Sequence, residues 1–132
     1  MMAQQIENKI VREWFLSAQD DEAAIISMLK SEDWPANTVC FLSQQMVEKS
    51  LKGFLAFVGK EAPKIHQLEP LLATCSEIDN GFSQFSDSAE FLSGFYIATR
   101  YPGGYEQFSA DEAKKAFEIS NKIKDFIFQK II

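Results

Sequence analysis

The chain has 132 residues, of which 46% are hydrophobic and 24% are charged, and this composition is typical of one soluble globular domain with its own core. Its 19 acidic and 13 basic residues give a net charge of −6, which excludes a general electrostatic attraction to nucleic acid, so we expect no DNA partner. The longest apolar run, residues 54–58, is far too short to span a membrane, and we expect no membrane association.

Cysteine and histidine usage excludes several kinds of site. Cys40 and Cys75 lie far apart in the sequence with no Cys-x-x-Cys pair, and His66 is the single histidine. This pattern favours neither a zinc site nor a disulfide framework, and it is typical of buried thiols in a reducing compartment. The N-terminal residues also lack the basic and apolar parts of a secretion signal. We therefore expect a cytoplasmic protein that holds no metal and no cofactor.

Proline and glycine residues divide the chain into segments in which apolar residues recur at intervals of three and four. This periodicity predicts helices over residues 7–30, 35–58, 66–75, 84–100 and 109–130. Four long helices joined by short links most simply form an up-and-down four-helix bundle, with the additional short third helix lying across one end. The predicted fold is therefore all-α, in a single domain that covers residues 1–132.

The predicted first helix carries a carboxylate within its apolar face. Asp21 falls among Trp14, Ile25 and Met28 when residues are placed at about 100° per position. An unpaired buried charge is costly, so this carboxylate needs a cation. Lys124 lies among apolar residues of the predicted last helix. We expect Asp21 and Lys124 to form a structural ion pair, and we favour this role over a ligand contact.

The predicted second helix combines a narrow polar arc with an apolar surface that covers more than half of its circumference. Such a helix is covered by neighbours on at least two sides and is predicted to be the central one. Glu48 and Lys52 form a favourable i,i+4 pair, and composition alone favours a solvated polar stripe. The polar arc consists of Gln45, Glu48, Lys49 and Lys52.

The predicted fourth helix ends at Arg100, because Pro102 disfavours helical geometry at Tyr101. Arg100 has two possible roles. It either donates hydrogen bonds to the last carbonyls of this helix, or it binds a phosphate while a base stacks on a neighbouring tyrosine. Its spacing does not distinguish the two roles. A lone histidine such as His66, predicted at the start of the short helix, is more typical of a capping or packing group than of a catalytic base.

The predicted last helix begins with a capping box. Ser109 and Glu112 have the Ser-x-x-Glu spacing in which each side chain accepts a hydrogen bond from the other residue's backbone amide. The lysines of this helix alternate with acidic residues, which indicates a mixed charged face rather than a nucleic-acid stripe.

Four segments of the chain form a recognisable set of motifs. They are Trp14-Phe15-x-x-Ala18-x-Asp20-Asp21, Phe41-x-x-Gln44-Gln45-x-x-Glu48-Lys49-x-Leu51-Lys52, His66-x-Leu68 and Arg100-Tyr101-Pro102. Together these segments resemble the HEPN domain, named for higher eukaryotes and prokaryotes nucleotide-binding. The resemblance implies a four-helix up-and-down bundle with a short extra helix, usually in a dimer. Members of the family are ribonucleases, often toxins, or non-catalytic partners of small nucleotidyltransferases.

The ribonuclease members carry an arginine that is followed, after four to six residues, by a histidine. No histidine follows Arg100 in this chain. The chain is therefore more similar to the nucleotidyltransferase-associated branch. The leading hypothesis is a non-enzymatic homodimer that binds a nucleotide or RNA. The resemblance also implies that it is the partner of a small nucleotidyltransferase, in a toxin–antitoxin-like system. The predicted ligand-binding residues are Gln45, Glu48, Lys49, Lys52, His66, Arg100 and Tyr101.

Two alternatives remain open. The first is a divergent, metal-independent endoribonuclease, in which Arg100 stabilises charge in the transition state and Glu48 or His66 is the base. The second is a protein–protein adaptor that uses exposed phenylalanines such as Phe41 and Phe82, because an apolar surface patch on a small bundle is often an interface.

Overall fold

The computed structural model describes residues 2–98, 102–103 and 105–132, and within these ranges it contains helices and no strand. The all-α prediction is therefore confirmed. Two short 3-10 helices cover Met2–Gln5 and Asn80–Phe85. The α-helices are α1 (Lys9–Leu29), α2 (Ala36–Phe57), α3 (Leu68–Ile78), α4 (Ser86–Ser93), α5 (Phe95–Ala98) and α6 (Ala110–Ile131).

Side-chain contacts give the directions of the helices. Asp21 of α1 pairs with Lys49 of α2, while Phe15, which is earlier in α1, packs against Gly53, which is later in α2, so the two helices are antiparallel. By the same test, α2 is antiparallel to residues 80–98, because the ring contacts pair Phe54 with Phe82 and Phe41 with Tyr96. The α6 helix returns parallel to α2, because Asn37 near the start of α2 accepts from the Phe108 amide just before α6, and the later Ser43 accepts from the Ser120 hydroxyl at 2.8 Å. The four long segments form the predicted up-and-down bundle, and α3 is the additional short helix.

The fourth long segment is not the continuous helix predicted over residues 84–100. It begins as a 3-10 helix, continues as α4 and, after Gly94, as the short α5. The apolar period continues across this break, and the sequence marks it only by Gly94. The Asp79 carboxylate accepts a hydrogen bond from the Gly81 amide at 2.9 Å and pairs with Lys130 at 2.6 Å, so it fixes the start of this segment. The hydrogen bonds that Asp79 accepts from Lys130 and Gly81 also lower its pKa.

The central position of α2 is confirmed, because it packs against α1, α3, α4, α5 and α6. Its buried residues include Met46, Leu51 and Leu55, which contribute to the hydrophobic core together with side chains from the surrounding helices. Cys40 and Cys75 are also buried and unpaired, and burial raises the pKa of each thiol to about 12. They are inert core thiols, as the sequence predicts.

The predicted capping box at the start of α6 is present. The Glu112 amide donates to Ser109 Oγ at 3.0 Å, and the Ser109 amide donates to Glu112 Oε1 at 3.1 Å. The residues just before it are held to the start of α2, where Asn37 donates to the Glu106 carbonyl at 2.6 Å and accepts from the Phe108 amide at 2.8 Å. Among the helices formed by the described residues, none has both the length and the apolar character needed to cross a bilayer.

Gly53 allows α1 and α2 to approach closely, because it has no side chain at the point of contact. A Cβ atom at Gly53 would lie 2.5 Å from Cε2 of the buried Phe15 ring. We expect Gly53→Ala to lower the free energy of unfolding by about 1–3 kcal/mol, because this overlap outweighs the higher helix propensity of alanine. Urea unfolding followed by circular dichroism measures the change.

Gly94 provides the matched control, since nothing lies within 4 Å of a Cβ atom at this position and its backbone is in the ordinary helical region. Gly94→Ala is expected to leave stability unchanged or slightly raised. Equal stability of the Gly53→Ala and Gly94→Ala variants would contradict the close packing of α1 on α2.

Candidate functional site

Glu48 lies at the centre of a polar cluster on α2, although only 4% of its surface is exposed. Its Oε2 atom accepts a hydrogen bond from Lys52 Nζ at 3.2 Å and lies 3.0 Å from His66 Nδ1. Its Oε1 atom accepts from Gln44 at 3.4 Å and from Gln45 at 3.3 Å. These contacts offset the loss of solvation that a buried carboxylate suffers. The Glu48 cluster consists of Gln44, Gln45, Glu48, Lys52 and His66.

Helical spacing assembles most of the Glu48 cluster. Gln44, Glu48 and Lys52 follow one another at i,i+4 intervals, so their side chains lie along one face of α2. Gln44 is fully buried and also donates to the backbone carbonyl of His66 at 2.9 Å, while Gln45 donates to Gln44 Oε1 at 2.7 Å. The loop between α2 and α3 is therefore held to α2 at His66.

The prediction of a solvated stripe on α2 is wrong, because other elements cover it. Lys52 is only 5% exposed, and its ammonium group lies 5.6 Å from the centre of the Trp14 ring of α1, within the range of a cation–π contact. On its other side, His66 covers the Glu48 carboxylate. Periodicity along α2 gives the polar arc but does not indicate what packs against it.

The His66 ring is half-exposed but held in one orientation. It precedes α3, which begins at Leu68, rather than starting the helix as predicted. Because a carboxylate oxygen accepts hydrogen bonds, the contact with Glu48 is a hydrogen bond in the tautomer of His66 that carries a proton on Nδ1. One ring face stacks on Tyr96, with centroids 4.6 Å apart and planes 12° from parallel. His66 Nε2 has no hydrogen-bond partner among the described residues.

The predicted ion pair between Asp21 and Lys124 is wrong. Asp21 accepts from Lys49 Nζ at 2.8 Å, and Lys124 pairs with Glu22. Adjacent residues of a helix point about 100° apart, so Asp21 faces α2 while Glu22 faces α6. Desolvation by burial raises the pKa of Asp21, and the hydrogen bond from Lys49 opposes this shift only in part. Asp21 and Lys124 both form ion pairs, but their partners are Lys49 and Glu22 rather than each other.

The structure brings some of the predicted ligand-binding residues together. Gln45, Glu48, Lys52 and His66 belong to one cluster, and Lys49 lies beside them on α2 but pairs with Asp21. Two predicted residues, Arg100 and Tyr101, lie outside the described residues. The sequence interpretation did not assign Gln44 to the site, although its spacing of four residues from Glu48 was a signal that could have found it.

Two other candidate surfaces are less suited to ligand chemistry. Phe82, predicted to be exposed, is fully buried between Phe54 and Phe126, which removes half of the apolar patch expected for an adaptor. A cavity of about 590 Å³ lies where the ends of α1, α2 and α6 meet. One of its polar side chains, Asn8, is already used to accept a hydrogen bond from the Val11 amide at the start of α1. In the part of the chain that the structure describes, no cluster of metal-ligating side chains is present.

The ion pair between Asp21 and Lys49 should stabilise the contact between α1 and α2. We expect Asp21→Leu and Lys49→Met each to lower the free energy of unfolding by about 1–3 kcal/mol, because each leaves a partly buried charge without its partner. The double variant should lose less than the sum of the single losses, since it removes both charges. Chemical unfolding of the four proteins measures this coupling.

Lys122→Met is the matched control, because Lys122 pairs with Glu118 on the exposed surface of α6 and should contribute about 0–1 kcal/mol. Strictly additive losses for Asp21→Leu and Lys49→Met would show that the pair does not stabilise the contact between α1 and α2.

Comparison with known proteins agrees with this architecture. The protein TT1696 from Thermus thermophilus has a solved structure that superposes with a TM-score of 0.80, at 27% identity, over 91% of this chain and 97% of that one. ST0689, described as an archaeal HEPN homologue, superposes with a TM-score of 0.71, at 26% identity, over 92% and 98% of the two chains. No curated protein matches the chain significantly. The family model of the HEPN domain matches residues 11–131, and the chain therefore belongs to the HEPN domain family.

Proposed function

We propose that this HEPN domain is a non-enzymatic module that binds a nucleotide or an RNA segment. The observation that carries the proposal is the half-exposed His66 ring, which Glu48 and Tyr96 hold in a fixed orientation at the surface. A rigid, partly exposed aromatic group is a suitable platform for a base. Arg100 follows Tyr96 by four residues in the sequence and supplies a guanidinium group that can bind a phosphate with two parallel hydrogen bonds.

The buried residues of the site support this surface rather than contact the ligand. Lys49 and Lys52 are each already paired with a carboxylate, and Lys52 and Glu48 are almost fully covered. Their part in the proposal is to hold α1, α2 and the loop at His66 together, while Gln45, His66, Arg100 and Tyr101 contact the bound molecule.

The proposal includes a homodimer that functions in the cytoplasm as the partner of a small nucleotidyltransferase, within a toxin–antitoxin-like system. Two facts support this part of the proposal. The chain belongs to the HEPN family, and its sequence has no histidine after Arg100, whereas the ribonuclease members carry one there.

Titration with a panel of ligands tests the binding function. Isothermal calorimetry with ATP, GTP, UTP and inorganic triphosphate should detect binding of at least one of them. Arg100→Ala should weaken that binding by about ten-fold or more, because a charge-assisted, two-point phosphate contact is lost. Lys122→Ala removes the same charge from an exposed position on α6 and should leave the affinity unchanged. The proposal would be wrong if no member of the panel bound the wild-type protein.

One observation favours a second function, a metal-independent endoribonuclease. The contact between Glu48 and His66 Nδ1 is the arrangement in which a carboxylate orients a histidine, leaving Nε2 to accept a proton from a 2′-hydroxyl group. We nevertheless expect mixed RNA to remain intact when it is incubated with the protein and EDTA, because the arginine–histidine motif is absent. RNA gel profiles of wild type and His66→Ala provide the measurement, and cleavage that disappears in His66→Ala would establish the enzyme in place of the binding module.

A further inference from the structure

We propose that a nucleobase stacks on the open face of His66, so that the site recognises the base of its ligand as well as the phosphate. This inference rests on the proposed binding function and extends it, because it names the chemical group that gives the site its preference among phosphorylated molecules.

Three aromatic rings are in contact in the order Phe41, Tyr96 and His66. Phe41 of α2 contacts Tyr96 of α5 with centroids 6.0 Å apart, and Tyr96 stacks on His66 at 4.6 Å. The first two rings are only partly exposed, whereas 51% of the His66 side chain is accessible. A ring that is stacked on one face can accept a second planar ring on its other face, and bases stack on aromatic side chains in this way.

The exposed part of His66 can be located from its contacts. Tyr96 covers one ring face, and Glu48 covers the edge that carries Nδ1. Among the described residues, no contact covers the opposite face or the edge that carries Nε2, and these form the accessible half of the side chain. The neighbouring recess, lined by His66, Gln67, Ser93 and Tyr96, has a volume of only about 30 Å³. Because this recess is too small to enclose a base, the base lies on the open face.

The ring is preorganised for stacking. Glu48 fixes its rotation through Nδ1, Tyr96 fixes its plane, and Gln44 fixes the backbone by donating to the His66 carbonyl. A side chain that is already immobilised loses little conformational entropy when a ligand binds, so more of the stacking free energy is available for affinity. Purines have the larger face and should bind more tightly than pyrimidines.

A matched pair of substitutions separates stacking from the polar contact. His66→Phe keeps an aromatic face and loses the hydrogen bond to Glu48, whereas His66→Asn keeps a donor and loses the ring. Wild type should bind ATP about ten-fold more tightly than inorganic triphosphate, with UTP in between. His66→Phe should retain most of this preference, and His66→Asn should lose it while still binding triphosphate.

Nuclear magnetic resonance gives a second measurement, which does not depend on affinity. His66 is the single histidine of the chain, so its Hδ2 and Hε1 signals need no assignment by mutagenesis. A base stacked on the ring should move both signals upfield, and at constant pH inorganic triphosphate should not. The same titration with a short single-stranded RNA, alongside ATP, determines whether the base comes from a free nucleotide or from RNA.

The outcomes separate this inference from the function on which it rests. Equal affinity for ATP and inorganic triphosphate, with no upfield movement of the His66 signals, would overturn the stacking proposal and leave phosphate binding intact. Loss of the base preference in His66→Phe to the same extent as in His66→Asn would also overturn it. If neither nucleotides nor RNA bind the wild-type protein, both proposals fail together.

Discussion

The burial of the Glu48 carboxylate is the constraint on which the arrangement of the site depends. A carboxylate removed from water is tolerated only if cations and donors surround it, and Glu48 obtains these partners from two separate parts of the chain. Lys52, Gln44 and Gln45 come from α2, whereas His66 comes from the loop before α3. Satisfying one buried charge therefore fixes the position of a loop that hydrophobic packing alone would leave less well defined.

The same network connects α1 to the site. Lys52 lies between the Glu48 carboxylate and the Trp14 ring, so the cation is held by an ion pair on one side and by an aromatic face on the other. One helical turn away, Lys49 pairs with Asp21. Each of these lysines links α2 to α1, and the close approach of the two helices at the glycine of α2 completes the contact between them.

The sequence was sufficient to predict features that depend on local spacing. The long helices α1, α2 and α6, the capping box of α6 and the central position of α2 follow from intervals of three and four residues, and the structure confirms them. The partners of buried charges were not predictable, because packing between helices sets them. A one-residue step turns a side chain by about 100°, so Asp21 meets Lys49, and it is Glu22 that meets Lys124. The burial of Glu48 likewise depends on side chains that are distant from α2 in the sequence.

The charge distribution determines how such a site can bind an anionic ligand. The chain has a net charge of −6, and both lysines of the α2 polar arc are already neutralised by carboxylates within 3.2 Å. Neither the whole protein nor this arc therefore creates a strong positive field that would attract phosphate over a distance. The binding that we propose therefore relies on short-range contacts, namely two-point hydrogen bonding by a guanidinium group and stacking on an aromatic ring. Such contacts depend on geometry, and the buried network around Glu48 supplies that geometry because it holds His66 in place.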